Sequence, residues 1–395
     1  MITRWTVVLV GVLVALATGS WATTWRVEKD GSGDFSVIQD AVDVAASGDT
    51  VAIGAGRFAD ATVDAWGMTY VLLDGTKDLT FLGAGDDQTI IGPEAYDPTF
   101  DIFGIRCWEG APSLHLEGLR IEHIAGYAAR TDAADLTMVD CTIQQCLRGL
   151  HARGSGNRVI VEGCRFVDSM EHAVYAGIYA VDVSLRVVDT EFERFSKGIS
   201  QCRGSTLISN CTFTGVGMDA GWVGIGIILD EAKGMIDHCT ITSMRDGIWL
   251  EDIPYLTVRD CLITDCRRVG LEIDGLNDRL DIQACIVADC GTCVHLFGEC
   301  KDNAIHGNHF FRDEANGGLY VEVPEYYPWG PSYFKLTGNY WGTTDIPTIA
   351  EWILDGYDQP ECLMYIVFDP IADGPVSVES HTWTEVKGMF RPSGR

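Results

Sequence analysis

A short apolar segment recurs ten times along this chain of 395 residues, and this repeat limits the possible fold more than any other feature. Two of its copies are L-T-M-V-D-C-T-I at 136–143 and T-L-I-S-N-C-T-F at 206–213. One position of the repeat returns every 21 to 31 residues, and we call it the repeat column. Its members are Leu119, Cys141, Cys164, Thr190, Cys211, Cys239, Cys261, Cys285, Asn308 and Asn339. A period in the low twenties indicates a solenoid to which each repeat contributes one coil.

Apolar residues alternate with others within each copy. In the first of the two copies, Met138 and Ile143 are the residues predicted to face inward. Alternation with a period of two predicts β-strands rather than helices. A second strand in each coil follows the pattern G-[IL]-x-apolar, as in D-G-I-W-L at 246–250. The leucine framework of leucine-rich repeats is missing. Several strands per coil predict an all-β protein, a parallel β-helix of roughly 10–12 coils that stack ~4.8 Å apart.

Two amphipathic segments are predicted to be helices that cap the solenoid, because its exposed sheet edges would otherwise invite aggregation. Residues 36–48 begin with a capping box of Ser36 and Gln39, and residues 345–356 begin at the N-cap Asp345. The residues expected to face inward are Ile38, Ala41, Val42 and Ala45 in the N-terminal helix, and Ile346, Ile349 and Ile353 in the C-terminal helix.

The start of the chain is predicted to be a signal peptide. Arg4 precedes an apolar run over residues 7–17, and Ser20 and Ala22 are the small residues of a cleavage site. We therefore expect a secreted protein, periplasmic or extracellular, whose mature chain has no transmembrane segment, because no later run reaches ~18 apolar residues. The expected units are the signal peptide at 1–22, a β-helix domain at 23–370 and a polar tail at 371–395.

The charge of the chain excludes one class of partner. Acidic residues number 57 against 28 basic ones, so the formal net charge is −29. Nucleic acid binding requires clustered Lys and Arg, so we expect no nucleic acid partner. An anionic polysaccharide would also be repelled unless cations bridged the two surfaces. We expect the protein to be a monomer.

The cysteines are interpreted as a ladder of small buried side chains rather than as a disulfide framework. Cys211 lies in N-C-T-F-T-G-V at 210–216, where the glycosylation sequon is interpreted as a turn at Asn210. Neighbouring Cβ atoms in such a column stand ~4.8 Å apart, beyond the ~3.5–4.5 Å of a disulfide. Two pairs outside the column stay open as disulfides, namely Cys266 with Cys290 and Cys293 with Cys300.

The chain resembles the pectin-lyase-like right-handed parallel β-helix superfamily, including its NosD-like, carbohydrate-binding and sugar-hydrolase members. The resemblance rests on V-E-K-D-G-S-G-D-F-S-V-I-Q-D-A-V at 27–42, G-D-T-V-A-I-G-A-G-R-F at 48–58 and G-N-Y-W-G-T-T-D at 338–345. It implies a right-handed β-helix over roughly residues 24–370. The motifs of pectin methylesterases, polygalacturonases and pectate lyases are missing, so the resemblance implies none of these activities.

Two outward-facing columns follow from the G-[IL]-x-apolar strands, and they contain the candidate site. Asp230, Glu251 and Asp274 are expected ~5 Å apart on successive coils. Two carboxyls at this separation suit a retaining glycosidase, and the same oxygens suit Ca²⁺, whereas a merely solvated acidic face is the alternative. The expected carbohydrate-binding residues are Trp249, Glu272, His295 and Tyr320, with Trp329 from an aromatic insertion at 323–334.

Two functions are compatible with these features. The first is an exported protein that binds a polysaccharide or cell-surface glycan along the outward face; any catalysis would be that of a polysaccharide lyase or glycoside hydrolase. The second is a non-catalytic envelope or surface protein, in which the β-helix is a stiff spacer or adhesin. The aromatic and acidic columns favour the first function, and the missing catalytic motifs favour the second.

Overall fold

The computed structural model describes residues 22–64, 67–73, 77–97, 102–107, 113–168, 176–215, 224–315, 317–324, 332–359 and 361–374. Their strands form a parallel solenoid with three faces. The third face alone contains 11 strands, so the solenoid has about 11 coils. The predicted all-β parallel β-helix is confirmed. Among the described residues, no helix is long and apolar enough to cross a membrane.

The first face consists of the strands that follow the G-[IL]-x-apolar pattern, together with their neighbours towards both ends. Three of its strands continue around a corner into the second face, namely β17 (Ala176–Val188), β19 (Lys197–Ser209) and β21 (Ile225–Asp237). Its other strands are β5 (Gly67–Leu73), β8 (Ile102–Cys107), β11 (Tyr127–Asp132), β14 (Arg148–Arg153), β23 (Asp246–Glu251), β26 (Val269–Asp278), β29 (Thr292–Lys301), β32 (Leu319–Glu322) and β34 (Ile353–Leu354). The short β4 (Thr62–Asp64) pairs antiparallel with β5.

The second face carries the strands that precede the repeat column, and the third face carries those that follow it. Besides the ends of β17, β19 and β21, the second face has β1 (Thr24–Val27), β2 (Asp49–Ile53), β6 (Leu79–Gly83), β9 (Ser113–Glu117), β12 (Asp135–Val139), β15 (Arg158–Glu162), β24 (Tyr255–Arg259), β27 (Leu280–Gln283) and β30 (Ala304–His306). The third face has β3 (Gly56–Phe58), β7 (Thr89–Ile91), β10 (Arg120–Glu122), β13 (Thr142–Gln144), β16 (Arg165–Val167), β18 (Glu191–Glu193), β20 (Thr212–Thr214), β22 (Thr240–Thr242), β25 (Leu262–Thr264), β28 (Ile286–Cys290) and β31 (His309–Arg312). Beside the last coil, β33 (Ser332–Lys335) pairs with β35 (Met364–Val367).

The repeat column lies at the turn between the second and third faces. Asn210 has a φ of 54° there and is exposed, whereas Cys211 is buried and its thiol donates to the carbonyl of Ser209. The left-handed φ values of Asp140 and Asp260 mark the same turn on other coils. Asn210 is therefore a turn residue, as predicted from the repeat. Cys266, Cys290 and the other described cysteines are free thiols.

The two helices are shorter than predicted. Helix α1 (Ile38–Val44) buries its predicted inward face, but its N-cap is Val37 and no side chain caps it. The expected capping box is therefore wrong, because the amide of Gln39 instead pairs with both backbone groups of Leu72. Helix α2 (Ile346–Glu351) does begin at Asp345, which accepts a hydrogen bond from the backbone N–H of Thr348.

One inward residue of the C-terminal helix was predicted wrongly. Ile346 is exposed, because it occupies the first turn on the side of the helix that faces solvent. Ile349 and Ile353 are buried as predicted, although Ile353 belongs to β34 rather than to the helix. That these helices act as caps stays a prediction.

Candidate functional site

Two columns of side chains project from the first face, and their order follows the prediction over most of their length. Strand pairing aligns column one as His151, Tyr179, Ser200, Ile228, Trp249, Glu272, His295 and Glu322. It aligns column two as Arg153, Val181, Cys202, Asp230, Glu251, Asp274 and Phe297. Each step is one coil, so adjacent members stand ~4.8 Å apart at the backbone.

The end of column one differs from the prediction. Tyr320 was expected to face outward, but its side chain is buried against Trp341, with ring centroids 5.3 Å apart, and its hydroxyl donates to the Trp341 carbonyl. The reason is the register of β32, in which Val321 pairs with Val294 and takes the inward position. Glu322 consequently lies beside His295 in column one. Tyr320 is therefore excluded from the glycan-binding residues.

Asp230, Glu251 and Asp274 are consecutive members of column two and are partly buried. Burial, and then the neighbouring Asp274 and Asp230 carboxylates, raises the pKa of Glu251 above its ordinary value. Burial also raises the pKa of Asp274, although the backbone N–H of Gly275 donates a hydrogen bond of 2.7 Å to its Oδ1. Burial thus disfavours the ionised form of two adjacent carboxyls, which is the direction of pKa shift that a general acid requires.

The geometry of the three carboxyls does not by itself make a metal site. Among the described residues, one group of three His, Cys, Asp or Glu has ligand atoms that all lie within 4.8 Å of one another. That group is Asp237 and His238 at the end of β21 and Asp260 after β24 on the next coil. Asp237 already accepts a hydrogen bond of 2.9 Å from Arg259. The Ca²⁺ prediction for Asp230, Glu251 and Asp274 stays a prediction.

A buried ionic network supports the other side of column one. Asp246, at the start of β23, is fully buried and lies between Arg245 at 2.5 Å and Arg268 at 2.7 Å. Arg268 also pairs with Glu272, which in turn contacts His295 Nδ1 at 3.3 Å. This network fixes the position of Glu272, because Arg268 joins it to Asp246 on the preceding coil and Glu272 contacts His295 on the next coil.

The network explains why Glu272 behaves differently from the carboxyls of column two. Burial works to raise the pKa of Glu272, but its hydrogen bonds with His295 and Arg268 outweigh burial, and the pKa lies below its ordinary value. Glu272 is only 6% exposed, so it is less a surface ligand than the predicted column implied. Sequence reasoning missed Asp246 and Arg268, although D-G-I-W-L and R-R-V-G-L place both at strand starts on consecutive coils.

Trp249 occupies the centre of the candidate site. It is in direct register with Ile228 on one side and with Glu272 on the other, and it is partly buried. Its strand neighbour in column two is Glu251, so an indole ring stands beside the pair of carboxyls with raised pKa values. The predicted Trp329 lies outside the described residues.

The known proteins that this chain is similar to share its β-helix fold. Residues 176–322 match the family model described as a right handed beta helix region. The match agrees with the parallel solenoid of the structure and describes this part of it as right-handed. The right-handed β-helix fold that the resemblance implies is thereby supported over these residues. The comparison with curated proteins found no match.

Solved structures of similar fold include a glucanase domain and two lyases. The catalytic domain of a GH87 alpha-1,3-glucanase in complex with nigerose is 12% identical, with a TM-score of 0.47 over 77% of this chain and 67% of that chain. A mannuronic acid specific polysaccharide family 6 lyase from human gut microbiota is 12% identical, with a TM-score of 0.47 over 88% and 91%. Pectate lyase Pel9A is 9% identical, with a TM-score of 0.44 over 73% and 80%. These are likenesses of fold alone.

Proposed function

We propose that the protein binds a polysaccharide along the first face, with Trp249 as the stacking residue and column two as the hydrogen-bonding edge. The observation that carries the proposal is the register of Trp249 beside Glu251 and Asp274. An indole ring offers a large apolar area with few rotatable bonds to immobilise, which suits the face of a sugar ring. His295, which Glu272 orients from the same column, supplies a polar contact to the sugar hydroxyls.

The two raised pKa values support the same proposal. Burial opposes ionisation of both Glu251 and Asp274, and a carboxyl that keeps its proton can donate a hydrogen bond to a sugar hydroxyl, whereas a carboxylate only accepts. Adjacent coils also bring the two carboxyls near the ~5 Å separation of retaining glycosidases. If the bound chain is cleaved, a general acid and a carboxylate nucleophile are therefore available in one place, and the product assay described below tests this step.

The proposal extends to properties that concern the whole chain. We propose export through residues 1–22, a monomeric β-helix domain at 23–370 with helical caps, and a buried cysteine ladder. In the alternative, a non-catalytic surface protein, the first face would bind no glycan and the solenoid would act as a spacer.

Binding of a panel of neutral and acidic polysaccharides to the purified mature protein tests the proposal. We expect at least one polysaccharide to bind, and Trp249→Ala to weaken that binding about 10-fold or more, because the stacking surface is removed. Tyr255→Ala is the matched control, since Tyr255 is an exposed aromatic residue on the second face. Absence of binding across the panel, or equal losses in the two variants, would contradict the proposal.

Product analysis separates binding from cleavage. New reducing ends are expected from a hydrolase, and an unsaturated product absorbing in the ultraviolet is expected from a lyase. Either activity should be abolished in Glu251→Gln and retained in Glu162→Gln, an exposed carboxyl of the second face. Parallel assays with Ca²⁺ and with a chelator test the metal prediction. Binding without products identifies a binding protein.

A further inference from the structure

A cavity of about 250 Å³ opens on the first face, several coils before Trp249. Its walls include the rings of Tyr127 and Tyr179 and the side chain of Ser200. The two charged side chains that line it are both cations, Arg148 and Lys197. No sequence argument pointed to this cavity, because the repeat pattern predicts the columns but not the space between them.

The floor of the cavity belongs to a stack of rings on consecutive coils. Tyr127 and His151 have centroids 5.0 Å apart, and His151 and Tyr179 have centroids 5.3 Å apart, both stacked. His151 is 8% exposed, and burial, followed by the neighbouring Arg130, lowers its pKa to about 4. His151 is therefore neutral near pH 7, and the stack acts as a rigid aromatic surface. Tyr179 is 42% exposed and leaves its face open at the cavity.

The two cations of the cavity have different surroundings. The Arg148 guanidinium lies over the Tyr127 ring, 4.6 Å from its centroid. Lys197 begins β19, on the coil after that of Tyr179. Burial, and then repulsion by Arg245, lowers the pKa of Lys197. A bound anion would offset both effects, so the ammonium group has more to gain from an anion here than it would on an open surface.

Column one connects this cavity to the candidate site. Ser200 pairs with Ile228, which pairs with Trp249, so the cavity edge and the indole are two coils apart, ~10 Å along the first face. A carbohydrate chain lying along column one would therefore contact both places. Within a protein of net charge −29, a cavity whose charged lining is wholly cationic points to a ligand of opposite sign.

We infer that the cavity between Arg148 and Lys197 binds the anionic group, a carboxylate or a sulfate, of an acidic polysaccharide whose chain continues to Trp249. This inference rests on the proposed function and names the class of polysaccharide. Arg148 presents a planar fork of donors, which matches a carboxylate or sulfate oxygen pair, and Lys197 adds a point charge. The ring stack contacts the apolar face of the same sugar.

Titration with three matched oligosaccharides tests the inference: a uronate oligomer, its carboxyl-reduced neutral form and a sulfated neutral oligomer. Lys197→Met and Arg148→Met keep most of the aliphatic stem and remove the charge. Each should weaken binding of the uronate or the sulfated oligomer roughly 10-fold and change binding of the neutral oligomer less than about twofold. The anionic oligomer that responds identifies the group. Lys233→Met is the control, because Lys233 is an exposed lysine on the second-face end of β21.

The outcomes separate this inference from the proposed function. Equal losses for anionic and neutral oligomers, or no loss in either variant, would overturn the anion site while leaving glycan binding at Trp249 intact. Binding of the neutral oligomer alone would also overturn it. If Trp249→Ala weakens binding and Lys197→Met binds every oligomer as the wild type does, the ligand binds at Trp249 only. Unchanged circular dichroism and melting temperature of each variant exclude misfolding as the cause of a loss.

Discussion

Glu251 and Asp274 occupy the same position on consecutive coils, and the pKa of each is raised by burial and by nearby carboxylates. A raised pKa means that the folded state binds a proton more tightly than the unfolded state. Stability supplied by that proton is present below the unfolded pKa and is lost as the pH rises through the folded pKa. Above their folded pKa values the two ionised carboxylates therefore destabilise the fold.

Glu251→Gln is accordingly expected to stabilise the protein at pH 7 and to have little effect near pH 3.5. The gain should be below about 1 kcal/mol, because solvent screens a partly exposed group. Chemical denaturation at the two pH values measures it, with Glu162→Gln as the control that should not depend on pH in this way. A variant that is less stable than the wild type at pH 7 would show that Glu251 is held as a favourable ion instead.

Asp246→Asn is expected to be severely destabilising. Asp246 is fully buried between Arg245 and Arg268, so removal of its charge leaves two cations without their shared anion. Breaking such a buried ion pair costs about 3 kcal/mol or more. The denaturation midpoint measures this loss.

Asp182→Asn is the matched control for Asp246→Asn. Asp182 pairs with Arg203 in an exposed salt bridge at 2.7 Å. Exposed salt bridges contribute little, so the denaturation midpoint of Asp182→Asn should stay close to that of the wild type. Equal denaturation midpoints for Asp246→Asn and Asp182→Asn would show that the buried network does not stabilise the fold more than an exposed salt bridge does.

The parts of the structure that follow from local periodicity could be predicted, and the parts that depend on contacts between coils could not. The turn at Asn210 and the burial of Cys211 follow from a single repeat, and stacking the repeats gives the order from Asp230 to Asp274. Tyr320 was misplaced because G-G-L-Y-V fits the pattern with Leu319 in the inward position, whereas pairing with β29 places Val321 opposite Val294, two residues further along.

The parts of the site outside the two columns also depend on contacts between coils and could not be predicted from one repeat. Arg268 reaches Asp246 across 22 residues of chain, and no pattern within one repeat indicates that pairing. The cavity beside Lys197 depends on the volumes of side chains from four coils, which a pattern of apolar and polar residues does not contain. Charge and aromatic content could nevertheless have drawn attention to it, since Tyr127 and Arg148 precede the predicted members of column one.

Gly247→Ala should destabilise the solenoid because the glycine of the G-[IL]-x-apolar pattern lies against the next coil. A Cβ at Gly247 would stand 2.4 Å from the carbonyl oxygen of Gly270, which is backbone and cannot move away alone. We expect a loss of roughly 1–3 kcal/mol, as for other overpacked positions. Gly374→Ala is the control, since no atom lies within 4 Å of its added Cβ. Similar denaturation midpoints for the two variants would contradict the close approach of the coils.

Thiol labelling tests whether the cysteines are free as well as buried. Of the 13 cysteines whose side chains the structure describes, all are free and Cys202 alone is not buried. Burial, followed by a hydrogen bond with Asp230, raises the pKa of Cys202 to about 11, so even this thiol holds little thiolate near pH 7.5. Because the thiolate is the reactive form, we expect slow labelling of the native protein by a maleimide, with Cys202 the first described thiol to react.

Denaturation should release the rest of the 14 cysteines in the chain to the same reagent. The intact mass after labelling in guanidinium, without prior reduction, counts the free thiols. In the native protein, Cys202→Ser should remove the fastest phase of labelling. A count lower by two would reveal a disulfide. Peptide mapping would then decide between Cys266 with Cys290, which are free thiols in this structure, and Cys293 with Cys300. Full labelling supports a solenoid whose coils are held by stacking and backbone hydrogen bonds instead of covalent cross-links.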